Sequence, residues 1–365
     1  MRRLTLWLCI FAILGLSSFC YAAEKAPAES PIKEPVIYKG NTGPTMIIQM
    51  ENDTWTGSDR HYTNGAKFSW ISRDLNDLKQ KDDLPDWIRE WIIDYLDEID
   101  IDSDEHLQHN IGLSFGHSIF TPQNTDIQVP DADDRPYAGW LYTSIALHNK
   151  SAVMLDTFET TLGIIGPSAR GREVQNGFHE LIDVPKAEGW ESQLHDELGL
   201  MLSWQRSNRI WQHSQEDNLK GWGTDLITHF GATVGNVQTY ANVGGEFRFG
   251  YDLPMDFGTS VIRPGTGVQA PVEQNRSTKN RGFGWHIFTG VDARAVARDI
   301  FLDGNTFESS PHVTKENFVA DITNGIAFIW NNTKLTYTTV LRSKEFKEQE
   351  EFPHFFGSIT ISHTF

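Results

Sequence analysis

His179 and Gln175 stand four residues apart in the segment Arg172-Glu173-Val174-Gln175-Asn176-Gly177-Phe178-His179, which follows Ile165-Gly166-Pro167. Gly-Pro ends a strand, and a short helix after it, over about 172–183, would put the two side chains on one face. A hydrogen-bonding partner one turn away can fix which imidazole nitrogen carries the proton, and a general base needs that selection. Two further polar groups lie at what read as adjacent strand ends: Glu51-Asn52-Asp53, and Asp59-Arg60-His61-Tyr62-Thr63-Asn64-Gly65. Asn and Asp at strand ends are ordinarily turn formers. The one Gly-x-Ser-x-Gly match, Gly112-Leu113-Ser114-Phe115-Gly116, falls inside a strand expected near 109–119 and not at a strand-to-helix elbow, so a serine hydrolase of that kind is not indicated.

These residues need a scaffold, and the scaffold is written in alternation. In 239–251, Ala241, Val243, Phe247, Phe249 and Tyr251 fall on one face and Asn242, Glu246 and Arg248 on the other. Residues 285–295 set Trp285, Ile287, Val291, Ala293 and Ala295 against His286, Asp292 and Arg294. Segments 198–205 and 334–342 repeat the pattern, and 358–365 ends it on Phe365. Strands of about ten residues, apolar on one face and charged on the other, are the signature of a transmembrane β-barrel. The 12 tryptophans and 22 phenylalanines suit its interfacial girdles.

The expected strands lie near 45–53, 61–72, 109–119, 138–149, 154–166, 196–211, 223–234, 239–251, 283–297, 316–330, 333–346 and 355–365. Twelve is an even number, which leaves both ends of the chain on the periplasmic side. The fold class is therefore all-β, a 12-stranded antiparallel transmembrane barrel with short helical insertions. One insertion, about 84–100, carries apolar residues at helical spacing after Pro85-Asp86 and reads as an amphipathic periplasmic helix. Residues 252–282 read as a long periplasmic loop without legible chemistry.

Arg2 and Arg3 before an apolar run that closes on Ala22-Ala23 have the layout of a cleaved secretory signal over 1–22, followed by a periplasmic lead over 23–44. Both cysteines, Cys9 and Cys20, fall in that signal, so thiolate chemistry is excluded from the exported chain. Of 31 basic and 49 acidic residues, loss of Arg2 and Arg3 leaves 29 against 49, a net −20. Nucleic acid is excluded as a partner. Acidity of this size serves solubility, or the recruitment of divalent cations to the cell surface.

Glu51-Asn52-Asp53, Asp59-Arg60-His61-Tyr62-Thr63-Asn64-Gly65, Asp134-Arg135-Pro136-Tyr137-Ala138-Gly139-Trp140, the segment from Ile165 to His179, and Gly189-Trp190 with Gln193-Leu194 together resemble the outer-membrane lipid A 3′-O-deacylases. The resemblance runs over nearly the whole chain after the signal. It implies an outer-membrane enzyme facing the outer leaflet, with lipopolysaccharide as substrate and Ca2+ as cofactor. It implies that His179 activates water against the ester of the 3′-linked acyloxyacyl chain, that Gln175 supports it, and that Asn52, Asp53 and Thr63 complete the site. Asp53 and then Asn52 are the implied metal ligands, since calcium prefers oxygen.

The chain departs from that pattern in three places. Residues 121–134 hold no lysine where the family has a functional one, so Arg135 is the nearest cation and the expected substrate-binding residue. Pro185 stands where an acidic residue is expected after the histidine, with Asp183 and Glu188 as neighbours. The insertion at 74–107 is not a feature of the resemblance. Two other readings compete: a non-enzymatic barrel, porin-like or structural, and a calcium-dependent phospholipase, which would need a serine beside its histidine.

Overall fold

A computed structural model describes residues 43–53, 61–75, 86, 90, 107–181, 183–214, 221–259, 261–263, 282–350 and 354–365. The expected signal, the lead up to residue 42 and nearly all of the 84–100 insertion lie outside the described residues; Asp86 and Glu90 within that insertion are helical.

Twelve antiparallel strands close on themselves: β1 (Thr45–Asn52), β2 (His61–Ile71), β3 (Gln108–Thr121), β4 (Ala138–Lys150), β5 (Met154–Ile165), β6 (Glu197–Ser214), β7 (Trp222–Gly235), β8 (Gln238–Tyr251), β9 (Phe283–Asp299), β10 (Phe318–Trp330), β11 (Thr333–Arg342) and β12 (His354–Thr364). The seam between β1 and β12 runs from Thr45 opposite Thr364 to Asn52 opposite Gly357, so no strand edge is left unpaired. Both barrel ends of the chain sit at one rim, the periplasmic rim of bacterial barrels. The opposite rim carries the end of β1, the start of β4 and the long connection between β5 and β6.

Period-two alternation decides which side chains face lipid. Ile48, Phe68, Phe115, Ile145, Leu162, Leu200, Val243 and Ile287 are exposed on the outside, as hydrocarbon requires. Their neighbours Gln49, Asp225, Glu246, Arg248, His286, Asp292 and Lys334 are buried inside. Near the periplasmic rim Trp222 stacks on Phe249 at 5.3 Å and meets Trp285 edge-on at 5.7 Å, part of an interfacial girdle.

The loop that follows β8 is more than a periplasmic connection, contrary to the expectation for 252–282. Its described part, up to Arg263, turns into the lumen. Asp256 pairs with Arg248 and, at 2.6 Å, with Lys334. Thr259 N donates to Glu246, and Ile262 N donates to Glu51 Oε1 at 2.7 Å, close to the outer rim. Arg263 pairs with Asp292 at 2.5 Å. Asp321 receives Arg294 and Arg342, and Arg342 pairs with Glu345. Buried carboxylates and guanidinium groups are tolerable only when paired like this. The lumen is thus packed with ion pairs and a peptide segment, and 264–281 lie outside the described residues.

Candidate active site

At the outer rim, four strands contribute one outward-facing row. Asn52 pairs with Asn64, Asn64 with Ile119, and Ile119 with Gly139. Two interstrand spacings, roughly 10 Å, separate Asn52 from Ile119. One step further down the wall the corresponding row is Met50, Ala66, His117 and Leu141, where the apolar belt begins.

A helix lies against the outside of this row. β5 ends at Ile165; Gly166 takes φ +96°, a conformation that side chains resist, and turns the chain into a 3-10 turn, Pro167–Ala169. Arg170, also left-handed, then admits α1 (Gly171–Leu181). His117 on the wall donates from Nε2 to the Ala169 carbonyl at 2.8 Å. Close seating depends on two glycines. A Cβ on Gly139 would stand 3.0 Å from Gly171 N, and a Cβ on Gly171 would stand 2.6 Å from Cη2 of Trp190.

Trp190 is wedged under the helix and almost fully buried. Its ring lies 4.8 Å from that of Tyr137, tilted 47°, in a cluster with Ile119 and Ala187. Its indole N–H donates to Gln175 Oε1 at 2.8 Å. An indole can only donate, so the amide orientation of Gln175 is fixed and its NH2 group faces the other way. That buried Nε2 has no hydrogen-bond partner among the described residues.

His179 is buried on the same helix face. Its Nδ1 lies 2.6 Å from the carbonyl oxygen of Pro185. A carbonyl can only accept, so Nδ1 carries a proton, and in the neutral tautomer Nε2 is the basic nitrogen. The expectation that Gln175 fixes the tautomer is therefore revised: a main-chain carbonyl does so, at the position where an acidic side chain was expected. Asn176 holds that connection in place, accepting from Ala187 N at 2.9 Å and donating to Ala187 O.

Asn52 and Asp53 end β1 at the same rim and are buried, Asp53 completely. Thr63 lies in β2 beside Asn64, opposite the end of β1; its side chain is outside what is described. Among the described residues no three His, Asp or Glu side chains gather as a metal cluster. A consecutive carboxylate and amide oxygen at a buried strand end nonetheless fit a hard cation, whose remaining ligands would be backbone or hydroxyl oxygens and water.

Arg135 does not present itself to a substrate. It is 1% exposed, its Nη1 donates to Glu345 at 3.2 Å, and its guanidinium lies over Phe120. The proline after it and the inward partner Glu345 turn it into a cation of the barrel mouth. Burial alone would raise the carboxyl of Glu345, but Arg342 and Arg135 outweigh burial and hold it down at about 2. A separate acidic cleft of about 670 Å³ opens nearby, lined among others by Asp126, Asp131, Asp133, Asp134, Glu348 and Glu350. Burial raises the carboxyl of Asp134 there.

A closed 12-stranded barrel with an apolar outer belt, an ion-paired lumen and a helix seated against its wall at one rim defines an outer-membrane β-barrel. Residues 6–365 match the family model described as outer membrane protein LpxR, and the chain belongs to that family. Among solved structures it is similar to LpxR from Salmonella typhimurium, with 18% identity over 88% of this chain and 100% of that one, at a TM-score of 0.66. It also matches the beta domain of the Bordetella autotransporter BrkA, at 8% identity over 89% of this chain and all of that one, with a TM-score of 0.41. Comparison with curated protein sequences returns no match.

Proposed function

We propose that the protein is a lipid A 3′-O-deacylase that hydrolyses the ester of the 3′-linked acyloxyacyl chain of lipopolysaccharide, with His179 as general base and calcium as cofactor. The observation that carries this reading is the imidazole of His179, buried against the outer wall of the barrel with its Nδ1 proton committed to Pro185 O. Membership of the LpxR family supports it.

In the reaction, Nε2 of His179 takes a proton from water, and the hydroxide adds to the ester carbonyl. The tetrahedral adduct then collapses, the C–O bond to the sugar breaks, and the imidazolium returns its proton to the departing sugar oxygen. The products are the free acyloxyacyl acid and a sugar hydroxyl. The buried NH2 of Gln175, turned away from Trp190, is suited to donate to the oxygen that gains charge. Asp53, with Asn52, would hold calcium, which when bound supplies Lewis-acid stabilisation of that oxygen. Thr63, next to Asn64 in β2, is the remaining residue proposed for the site.

The ion-paired lumen counts against an open porin. Mass spectrometry of lipid A from cells expressing the protein, with calcium or with chelator and beside a His179→Ala variant, tests the proposal. Loss of one acyloxyacyl group only with the wild type and calcium is the expected result. Unchanged lipid A in every sample would remove the proposal in favour of a non-enzymatic barrel.

A further inference from the structure

We infer that α1 is also a membrane-contacting element: one flank of it dips into the acyl chains of the outer leaflet, so that an ester substrate reaches His179 sideways from the leaflet. The inference takes its orientation from the proposed function.

The helix has three faces. Gly171, Gln175 and His179 press on the barrel wall. Beside them, Val174, Phe178 and Leu181 follow at offsets of four and three residues, which places them on one flank. They are 45%, 38% and 80% exposed, so among the described residues none covers them as Ile119 beneath the helix is covered. The opposite flank is polar and occupied: Arg172 pairs with Glu191 at 2.5 Å, Glu180 with Lys186 at 3.0 Å, and Asn176 bonds Ala187.

The occupied flank identifies which way each side points. The connection that covers it is tied to the loop beyond β3, where Glu188 N donates to Thr125 O at 2.9 Å. That loop lies past the outer end of the strand, so the polar flank faces outward and the apolar flank faces the barrel belt. Directly down the wall come Leu141 and then Phe68, Phe115 and Leu162, the exposed apolar surface that a bilayer must cover. The stripe Val174, Phe178, Leu181 adjoins that surface; the polar His117 between them is tied up by the Ala169 carbonyl. An amphipathic helix with a charged upper face and an apolar lower one rests in the interface in this way. Phe178 also borders the wall-facing side, so an acyl chain in the leaflet would run along the stripe to the Gln175 and His179 face.

Val174→Cys, Leu181→Cys, Glu173→Cys and Glu180→Cys variants, each with Cys9→Ser and Cys20→Ser, carry a nitroxide and are reconstituted in vesicles of phosphatidylethanolamine, phosphatidylglycerol and lipopolysaccharide. Heat-modifiable migration on gels shows that each barrel is folded. Relaxation by oxygen, which concentrates among acyl chains, over relaxation by a water-soluble nickel chelate is expected to be several-fold higher at 174 and 181 than at 173 and 180. Equal ratios at all four positions would overturn the inference, as would labels at 174 and 181 that neither agent reaches. Lipid A hydrolysis is followed on the same vesicles. An oxygen-rich flank without hydrolysis supports the inference and removes the enzymatic reading; hydrolysis with a water-exposed flank removes the inference alone.

Discussion

Gly171→Ala should disable the site while leaving the barrel intact. The added Cβ would lie 2.6 Å from Cη2 and 2.9 Å from Cζ3 of Trp190. Carbon atoms settle at about 3.5–4.0 Å, so the helix or the indole must move by about 1 Å. The indole has little room, held by Gln175 through its N–H and packed at a tilt against Tyr137. His179 rides two turns along the same helix, and a misplacement of about 1 Å can cost a factor of about 10² in rate. Helix propensity works in the opposite direction, since alanine is better than glycine inside a helix by about 0.5–1 kcal/mol. A loss of activity would therefore report seating and not helix strength. The assay is release of the acyloxyacyl acid from lipid A in detergent micelles with calcium, alongside thermal unfolding of the barrel. Trp190→Phe in the same chain removes the clashing atoms, so the double variant should be less impaired than the two single losses combined. Full activity of Gly171→Ala with an unshifted helix would refute the argument that glycine seats the catalytic face.

Further outcomes follow from other contacts. Trp190→Phe alone leaves Gln175 Oε1 buried without its donor, a cost of about 1–3 kcal/mol, and should lower activity with little change in barrel unfolding, read by activity and melting in parallel. Gln175→Glu removes the NH2 donor while keeping the oxygen for Trp190; a fall in turnover of about 10²–10³ is expected if that donor meets the developing charge, measured as turnover at saturating substrate. Calcium removal by a chelator should abolish hydrolysis, and readdition should restore it. Glu345 supplies a pH prediction. Its folded value of about 2 lies below its ordinary 4.5, so its stabilisation is present above about pH 4.5 and is lost as pH falls toward 2. The shift corresponds to about 3 kcal/mol at neutral pH. Melting of the wild type should drop over that window, and Glu345→Gln should flatten the drop.

The wall of the barrel was legible because alternation is local: each of β6, β8, β9 and β11 announces its own two faces within ten residues. The pairing of Gln175 with His179 on one face was legible for the same reason, since an offset of four residues is a property of any helix. The lumen segment was not legible. Asp256, Ile262 and Arg263 have no period, and their partners Lys334, Glu51 and Asp292 are remote in sequence. The acceptor for His179 is a backbone carbonyl, which no residue type signals. Arg135 misled in the opposite sense: a loop cation looks solvent-facing until Glu345, more than two hundred residues later, is brought under it. Trp190 was visible as a motif residue, but its role as the wedge between helix and wall depends on Gly139 and Gly171 being bare at the same place.

The central claim is that the end of β1 and the imidazole on α1 serve one cation-holding pocket. A crystal structure grown with calcium tests it most directly, using anomalous scattering to locate the ion. The account requires calcium with an Asp53 oxygen at about 2.3–2.6 Å and a water between the ion and Nε2 of His179. Calcium bound only in the acidic cleft beside Asp131 and Asp133, with none at Asp53, would contradict it.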